Sequence, residues 1–341
     1  MCQLAANQQY FQQNPLHIAI VGLGSIGRRH LRLLRAMYPE MEITLVRSGK
    51  GSDWPESLLA QRIVRTSKEA LDAGAQAAII CSPASLHLEQ AMDWVSADLP
   101  LLIEKPLSTN TSGLEQLAQL VRSSGVPTLI GYVLRYDLAA QYFQQQLATD
   151  NYGVPLSVRI ECGSFLPDWR LEQDYRQSVS ASKDLGGGVL LELSHELDYA
   201  NWFFGPFDKV QAVLQNSGTL NIDVEDGAEL LLQTSTGLTA SIHLDFYSKT
   251  PKRHCRVQTT TGELVWDALK QAVCWTDSSG QTTEKFFPQE RDELFRRQLL
   301  HFFECVQGIS QPMVPIDQGT QVMKMIDAAR ESHDSGRMIT L

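Results

Sequence analysis

The sequence contains no apolar run that approaches the roughly 18 residues needed to span a bilayer. Residues 1–15, MCQLAANQQYFQQNP, also lack the charged and apolar regions of a secretory signal. Basic charge is scarce, since 29 lysines and arginines against 39 aspartates and glutamates give a formal net charge of -10. No basic stripe offsets this charge, so we expect a cytoplasmic protein that binds neither nucleic acid nor a membrane.

Metal and disulfide frameworks are not indicated either. The six cysteines include no C-x-x-C pair of the kind that zinc sites use, and they stand at positions 2, 81, 162, 255, 274 and 305. We therefore predict free thiols and no metal. With 341 residues, of which 43% are apolar and 20% are charged, the chain is long enough for two folded domains of roughly 150 residues each.

In the first domain, predicted at 1–131, short apolar runs alternate with helical patterns. Alternation of strands and helices predicts a doubly wound parallel sheet. The strands are expected at 16–21, 41–46, 76–81, 100–103 and 126–131, and the helices between them at 26–37, 87–97 and 112–124.

The pattern changes in the second domain, predicted at 132–341. Residues 156–162 alternate apolar with polar, and later strand-like segments are separated by short turns, which join antiparallel neighbours. We predict an α+β domain with a large, mostly antiparallel open sheet. The last helix is a candidate for packing back on the first domain. Helices are expected at 137–148, 290–307 and 318–332, and a closing strand at 337–340.

A glycine turn lies between the first predicted strand and helix. Gly22, Gly24 and Gly27 have the G-x-G-x-x-G spacing of dinucleotide-binding turns, in the strand-turn-helix context that this motif requires. Gly22 would permit the tight turn, Gly24 would let a pyrophosphate approach, and Gly27 would let the helix pack on the strand. Backbone N–H groups at the helix start, around Ser25 and Ile26, would bind the phosphates. We therefore predict an NAD(P)-binding Rossmann domain.

The end of the second predicted strand lacks the acidic residue that usually holds the ribose 2′-hydroxyl of NAD. Arg47 stands there, with Ser48 and Lys50 beside it. Because arginine and serine can bind a 2′-phosphate, the sequence predicts a preference for NADP(H), with NAD(H) as the alternative cofactor. The competing interpretation is a surface arginine that contacts no ligand.

One segment suited to catalysis is Glu104-Lys105-Pro106. It follows a predicted strand of the parallel sheet, at the edge where open α/β folds bind ligands. A lysine there can stabilise negative charge that develops on a substrate oxygen. The competing interpretation is an ordinary strand-ending turn.

A second such segment contains Glu192, His195 and Asp198, which are spaced by three and share a face if they lie on one helix. Histidine is the side chain best suited to move a hydroxyl proton near neutral pH, and a nearby carboxylate can orient it. The alternative is a structural histidine on a half-buried helix.

Together these motifs resemble the Gfo/Idh/MocA oxidoreductases, a family that includes glucose-fructose oxidoreductase and inositol 2-dehydrogenase. The resemblance extends from about residue 16 to the last predicted strand. It rests on the glycine turn, Ser82-Pro83-x-x-x-His87, Glu104-Lys105-Pro106, Gly131-Tyr132-x-x-Arg135-Tyr136, and His195-x-x-Asp198 after three glycines.

The resemblance implies NAD(P)-dependent redox chemistry on sugars or cyclitols, in a homodimer or homotetramer. Lys105 would contact the reacting oxygen and His195 would be the acid/base. Many members carry an aspartate four residues before this histidine, where the present chain has Leu191. The helper carboxylate is therefore left open between Glu192, Asp198 and neither. The residues implied beside the cofactor are Ser82, Pro83, His87, Glu104 and Lys105.

The segment 164–199 resembles a bacterial branch associated with surface-polysaccharide and nonulosonate sugar loci. Its long loop carries Arg170, Arg176 and Lys183, which could receive a substrate carboxylate or phosphate. A solvated polar loop is the alternative. The predicted substrate-binding residues are Lys105, Arg135, Tyr136, Asp168, Trp169, Arg170, Arg176 and His195.

We therefore predict an NADP-preferring oxidoreductase that transfers a hydride between the nicotinamide and a secondary hydroxyl or ketone of a sugar, sugar acid or cyclitol, in surface-polysaccharide sugar biosynthesis. One alternative is a non-catalytic NADP-dependent sugar sensor, against which the joint presence of Lys105 and His195 argues. The other is a reductase of a non-sugar cyclic substrate, such as an aromatic dihydrodiol, against which the charged loop argues.

Overall fold

The structure is a computed structural model and describes residues 16–49 and 51–341. Cys2 and Lys50, both named in the sequence analysis, lie outside the described residues. None of the helices in the described ranges is long and apolar enough to cross a membrane.

The described chain forms two compact units. The first contains the residues up to Val133 together with a returning segment, Glu290–Thr320, and the second contains Leu134–Gln289 and Gln321–Leu341. The returning segment falls within the range that the sequence assigns to the second domain.

A parallel six-stranded sheet forms the centre of the first unit. Its strands are β1 (His17–Val21), β2 (Glu42–Val46), β3 (Arg62–Val64), β4 (Ala77–Ile80), β5 (Leu101–Glu104) and β6 (Thr128–Gly131), and its helices are α1 (Ser25–Met37), α2 (Ser67–Asp72), α3 (His87–Ser96) and α4 (Leu114–Ser124). The strand order β3-β2-β1-β4-β5-β6 places a change of winding direction between β1 and β4. The predicted doubly wound sheet is thereby confirmed, and ligands bind such sheets at this point.

Neither β3 nor α2 is predicted from the sequence. β3 has only three residues, and Arg62 and Ile63 are exposed, so this edge strand has no buried face that could produce an apolar pattern. The strands β1, β4, β5 and β6 are instead buried along their whole length, which explains why their apolar runs are recognisable.

The second unit contains a nine-stranded sheet in the order β14-β13-β12-β11-β7-β10-β9-β8-β15. Only β7 and β10 pair in parallel, so the predicted mostly antiparallel sheet is confirmed. The strands are β7 (Pro155–Gly163), β8 (Lys209–Gln215), β9 (Gly227–Gln233), β10 (Thr239–Asp245), β11 (Lys252–Thr259), β12 (Gly262–Asp267), β13 (Ala272–Asp277), β14 (Thr282–Phe286) and β15 (Ile339–Thr340). The helices are α5 (Leu138–Leu147), α6 (Val189–Glu192) and α7 (His195–Phe204).

The helix α8 (Arg291–Val306) explains why the returning segment belongs to the first unit. Phe303 packs edge-on against Tyr38 at a centroid distance of 5.1 Å, and Phe295 does the same to His30 at 5.7 Å. The last helix, α9 (Ile316–Ser335), begins in this segment.

Candidate functional site

The glycine turn closes tightly against the end of β4. Gly22 has a positive φ of 95°, and a Cβ on it would lie 2.9 Å from the backbone nitrogen of Ser82. A Cβ on Gly27 would lie 2.2 Å from the carbonyl oxygen of Gly22, so only glycine lets α1 pack this closely. A Cβ on Gly24 would meet no atom within 4 Å. The protein itself requires Gly22 and Gly27, whereas the space that a side chain on Gly24 would fill suits a ligand.

The N-terminus of α1 lies at this turn without a side-chain cap. Its N-cap residue is Gly24, and the first turn of the helix contains no acidic residue. The N–H groups around Ser25 and Ile26 and the positive end of the helix dipole therefore favour an anion. These features fit the pyrophosphate of a dinucleotide.

Arg47, at the end of β2, directs its guanidinium into the following loop. Nη1 donates to Oδ1 of Asp53 at 2.9 Å, and Nη2 donates to the carbonyl oxygen of Ser52 at 2.6 Å. Only 12% of the Arg47 side chain is exposed, while Ser48 beside it is exposed. Arg47, which the sequence assigns to a 2′-phosphate, therefore already donates hydrogen bonds to groups of its own chain.

His87 bridges the ends of β4 and β5. Its Nε2 lies 2.8 Å from the carbonyl oxygen of Ser82, and its Nδ1 lies 2.8 Å from that of Pro106. Burial lowers the pKa of His87, and the two carbonyl acceptors oppose this shift. The hydroxyl of Ser82 donates to Oε1 of Gln90 at 2.6 Å. The His87 ring thus lies between the turn that follows β4 and the turn that carries Lys105, and a neutral imidazole donates to one of the two carbonyl oxygens at a time.

Glu104 turns its carboxylate into the protein. Oε1 lies 2.7 Å from Nε2 of His30, and both side chains are almost completely buried. A Cβ on Gly131 would lie 2.9 Å from Oε2 of Glu104, so this glycine makes room for the carboxylate. The pair joins α1 to the strand that ends at Lys105. His30 is absent from the predicted residues, although its place four residues after Ile26 on the apolar side of α1 is a detectable signal.

His195 is the first residue of α7, so the condition that His195 and Glu192 lie on one helix is not met. The helix α6 ends at Glu192, Leu193 is its C-cap, and Ser194 is the N-cap of α7. Spacing by three places side chains on one face only within an unbroken helix. The spacing rule therefore does not place Glu192 beside His195.

Asp198 forms a buried ion pair with Arg135. Oδ2 accepts a hydrogen bond from Nε and Oδ1 accepts one from Nη2, both at 2.8 Å, and each side chain is at most 4% exposed. Burial raises the pKa of Asp198, and the guanidinium opposes this shift. Arg135 also lies over the ring of Trp202, 4.6 Å from its centroid. Both oxygens of Asp198 are thus bound by the arginine that the sequence assigns to the substrate.

The residue that follows His195 forms a second ion pair, which is partly buried. Nε of Arg253 donates to Oε1 of Glu196 at 2.8 Å, and the Glu196 side chain is fully buried. Neither residue was predicted. They lie 57 positions apart on α7 and β11, and no local pattern connects them.

The loop after β7 is held by Trp169. Its Nε1 donates to Oγ of Ser164 at 2.9 Å, and its ring packs edge-on against Phe246. Trp169 is half-buried, whereas Asp168 is exposed. Trp169 therefore anchors the loop on the second unit.

The two arginines of this loop differ in their partners. Arg176 donates through Nη2 to Asp174 at 2.7 Å and through Nε to the same carboxylate. The guanidinium of Arg170 has no hydrogen bond or ion pair to any residue within 16–49 or 51–341. Arg170 is the better placed of the two to bind an anion.

Two models of one protein family match the chain. The model described as "Oxidoreductase family, NAD-binding Rossmann fold" matches residues 16–132, and the model of the GFO/IDH/MocA C-terminal domain matches residues 140–265. The chain belongs to the Gfo/Idh/MocA family of oxidoreductases.

Similar proteins of this family include dehydrogenases that are named for sugars and cyclitols. D-xylose 1-dehydrogenase (NADP(+)) 2 of Haloferax volcanii is 26% identical over 81% of this chain and 84% of its own. Myo-inositol 2-dehydrogenase of Thermotoga maritima is 22% identical over 96% and 98% of the two chains. The structure of levoglucosan dehydrogenase in complex with NADH has a TM-score of 0.81 and 18% identity, and the similarity covers 96% of this chain and 99% of that one.

The first unit of this Gfo/Idh/MocA protein brings its predicted residues to the carboxyl ends of β1, β4 and β5. The glycine turn follows β1, Ser82 and Pro83 follow β4, and Lys105 follows β5. In the second unit, Arg135 and Asp198 meet, and Tyr136 is buried next to Arg135 in the chain. Within the described residues, no three or more His, Cys, Asp or Glu side chains form a metal site.

The contrast between Gly24 and Gly27 predicts different effects of the same substitution. Gly27→Ala should lower both the thermal stability and the affinity for NAD(P), because its Cβ would strike the Gly22 carbonyl. Gly24→Ala should leave the melting temperature nearly unchanged and weaken dinucleotide binding. Thermal unfolding and fluorescence titration measure the two effects. Undiminished dinucleotide affinity in Gly24→Ala would contradict the placement of the pyrophosphate.

The buried ion pair predicts a stability effect. Asp198→Asn should lower the free energy of unfolding by about 3–5 kcal/mol, because it leaves the buried Arg135 guanidinium without its counter-charge. Asp174→Asn, which disrupts the exposed pair with Arg176, is the matched control and should change stability little. Urea unfolding compares the two variants, and equal stabilities would contradict a structural role for Asp198.

Proposed function

We propose that this protein is an NADP-preferring dehydrogenase or reductase that acts on a secondary hydroxyl or ketone of a sugar, sugar acid or cyclitol. The observation that carries the proposal is the presence in one chain of a Rossmann glycine turn, Lys105 at the end of β5 and His195 at the start of α7. The names of the xylose and inositol dehydrogenases support a sugar-like substrate.

The turn from Gly22 to Gly27 and the start of α1 would hold the dinucleotide, whose nicotinamide supplies or accepts the hydride when it is bound. The ammonium group of Lys105 donates a hydrogen bond to the substrate oxygen and stabilises the negative charge that develops there. His195 takes the hydroxyl proton as a general base in oxidation and returns it in reduction.

We assign Asp198 to holding α7 in place rather than to orienting His195. Both carboxylate oxygens already bind Arg135, and Glu196, the residue after His195, is held by Arg253. In both pairs the carboxylate on α7 is buried, so the two pairs restrict the orientation of this helix. The choice for the helper carboxylate is then between Glu192 and neither.

The preference for NADP(H) is supported by the residues at the end of β2. Arg47 and Ser48 stand where NAD-binding domains usually carry a carboxylate, so neither of these two residues offers an acidic acceptor for the ribose 2′-hydroxyl. The D-xylose dehydrogenase relative is named for NADP(+), whereas levoglucosan dehydrogenase was solved with NADH.

We infer an anionic sugar as the substrate, in surface-polysaccharide sugar biosynthesis. The resemblance of segment 164–199 to that branch and the guanidinium of Arg170, which has no partner among the described residues, support this choice. A guanidinium binds a carboxylate or phosphate through two parallel hydrogen bonds.

A homodimer or homotetramer completes the proposal. Val213 is 60% exposed and Leu231 is 40% exposed on the neighbouring strands β8 and β9. Apolar side chains exposed on one sheet face favour a second copy of the chain as the partner.

The catalytic assignment predicts a loss of turnover without a loss of cofactor binding. Lys105→Met and His195→Asn should each lower kcat by about 100-fold or more, because each removes a group that acts on the substrate oxygen or its proton. The dissociation constant for NADP should change little. Lys68→Met, on the exposed surface of α2, is the control. A screen of hexoses, amino sugars, nucleotide sugars and nonulosonates supplies the substrate, and full activity in both variants would refute the mechanism.

The substrate assignment predicts unequal roles for the two loop arginines. Arg170→Ala should raise KM for an anionic sugar by about 10-fold or more and leave KM for a neutral sugar unchanged, because it removes one charge-assisted contact. Arg176→Ala should have a smaller effect, since Arg176 already binds Asp174. Steady-state kinetics with a sugar acid and its neutral analogue measure both. An equal rise of KM for the two sugars would contradict a contact with the anion.

A further inference from the structure

The ends of β2 and β3 place two arginines side by side. Val46 of β2 pairs with Val64 of β3, and the N–H of Arg47 donates to the carbonyl oxygen of Val64 at 2.9 Å. Arg65 is the next residue after this pair. The edge of the sheet where a ribose 2′-substituent is expected therefore carries Arg65 as well as Arg47.

Arg47 is the more restricted of the two. Its guanidinium binds the carboxylate of Asp53 and the carbonyl oxygen of Ser52, and its side chain is only 12% exposed. To bind a phosphate, Arg47 would have to exchange these partners for the ligand. Its observed contacts instead hold the loop that follows β2.

The segment after that loop is fastened to α1 by three more arginines. Arg28 lies over the ring of Trp54, 3.7 Å from its centroid. Arg32 donates to Oε1 of Glu56 at 2.7 Å, and Arg35 donates to the carbonyl oxygen of Leu59 at 2.8 Å. This attachment begins at the residue after Asp53. The segment that directly follows Asp53 is therefore held in place, although the Asp53 side chain itself is 97% exposed.

Arg65 has a fixed backbone and an uncommitted side chain. Its N–H donates to Oε2 of Glu69 at 2.9 Å, while the N–H of Glu69 donates to Oγ1 of Thr66, the N-cap of α2. Its guanidinium has no hydrogen bond or ion pair to any of the residues that the structure describes. Arg65 is therefore an anchored, exposed cation.

Gly49 makes room for this guanidinium. A Cβ on Gly49 would lie 2.0 Å from Nη1 of Arg65 and 3.0 Å from its Cζ. The guanidinium of Arg65 thus lies against the backbone that directly follows Arg47 and Ser48. It lies beside the residues at the end of β2 to which the sequence assigns the 2′-phosphate.

We infer that Arg65 binds the 2′-phosphate of NADP(H) and that Arg47 shapes the loop around it. This inference rests on the proposed preference for NADP(H) and assigns that preference to a residue which the sequence analysis does not name. An uncommitted guanidinium can form a bidentate, charge-assisted contact with a phosphate without first breaking an internal ion pair. Arg65 has no such contact with NAD(H), which lacks the 2′-phosphate.

The test measures binding rather than turnover. NADP⁺ and NAD⁺ are titrated by calorimetry into the full chain, into Arg65→Ala and into Arg62→Ala. Arg62 is the matched control, because it is an exposed arginine at the start of β3, the strand that Arg65 follows. Arg65→Ala should weaken NADP⁺ binding by about 10-fold or more and change NAD⁺ binding little, as expected for the loss of one charge-assisted contact. Arg62→Ala should leave both affinities nearly unchanged.

Three outcomes would overturn the inference. Unchanged NADP⁺ affinity in Arg65→Ala would exclude the contact, and an equal loss for both dinucleotides would assign Arg65 to the fold or to the shared adenosine. A selective loss of NADP⁺ binding in Arg47→Ala, but not in Arg65→Ala, would assign the phosphate to Arg47. If the unaltered chain binds NAD⁺ more tightly than NADP⁺, the proposed cofactor preference itself fails, which is distinguishable from a failure of Arg65 alone.

Discussion

The close packing of α1 on the turn between β1 and the helix is the constraint on which the first unit depends. A Cβ at Gly27 would come within 2.2 Å of the Gly22 carbonyl oxygen, so the helix start touches backbone rather than side chains. This approach directs the positive end of α1 to the turn and determines where the rest of the helix lies. One turn further on, His30 therefore reaches Glu104. Beyond it, Arg32 and Arg35 reach the segment that follows β2.

The second unit uses buried charge to hold α7, the helix that begins with His195. Asp198 binds Arg135, which lies over Trp202, and Glu196 binds Arg253 of β11. A buried carboxylate is costly unless it is paired, so each pair allows few orientations of the helix. In the first unit, the buried His87 ring lies within hydrogen-bond distance of the carbonyl oxygens of Ser82 and Pro106, next to Lys105.

The sequence predicts most of the fold because the relevant signals are local. Buried strands leave apolar runs, and the glycine turn needs only a spacing within six residues. β3 was missed because a short, exposed edge strand has no such pattern. The break between Glu192 and His195 was also missed, since Leu193 and Ser194 are not strong helix breakers. Spacing by three places Glu192 and His195 on one face only if both lie on one helix, and the chain forms two helices here.

The partners of the charged side chains could not be predicted in this way. Arg135 and Asp198 are 63 positions apart, and His30 and Glu104 are 74 apart, so no local pattern joins them. Arg176 was expected to face the substrate, yet its neighbour Asp174 binds it.

The sequence by itself determines the family, the parallel sheet, the dinucleotide turn and the residue types available for chemistry, because these follow from local spacing and burial. Only the tertiary structure decides which cations are used internally and which are left for ligands. The physical reason is that ion pairing depends on distance in space: Arg47 has its own carboxylate partner, while Arg65, directly after the adjacent strand, lies beside Gly49 with its guanidinium uncommitted.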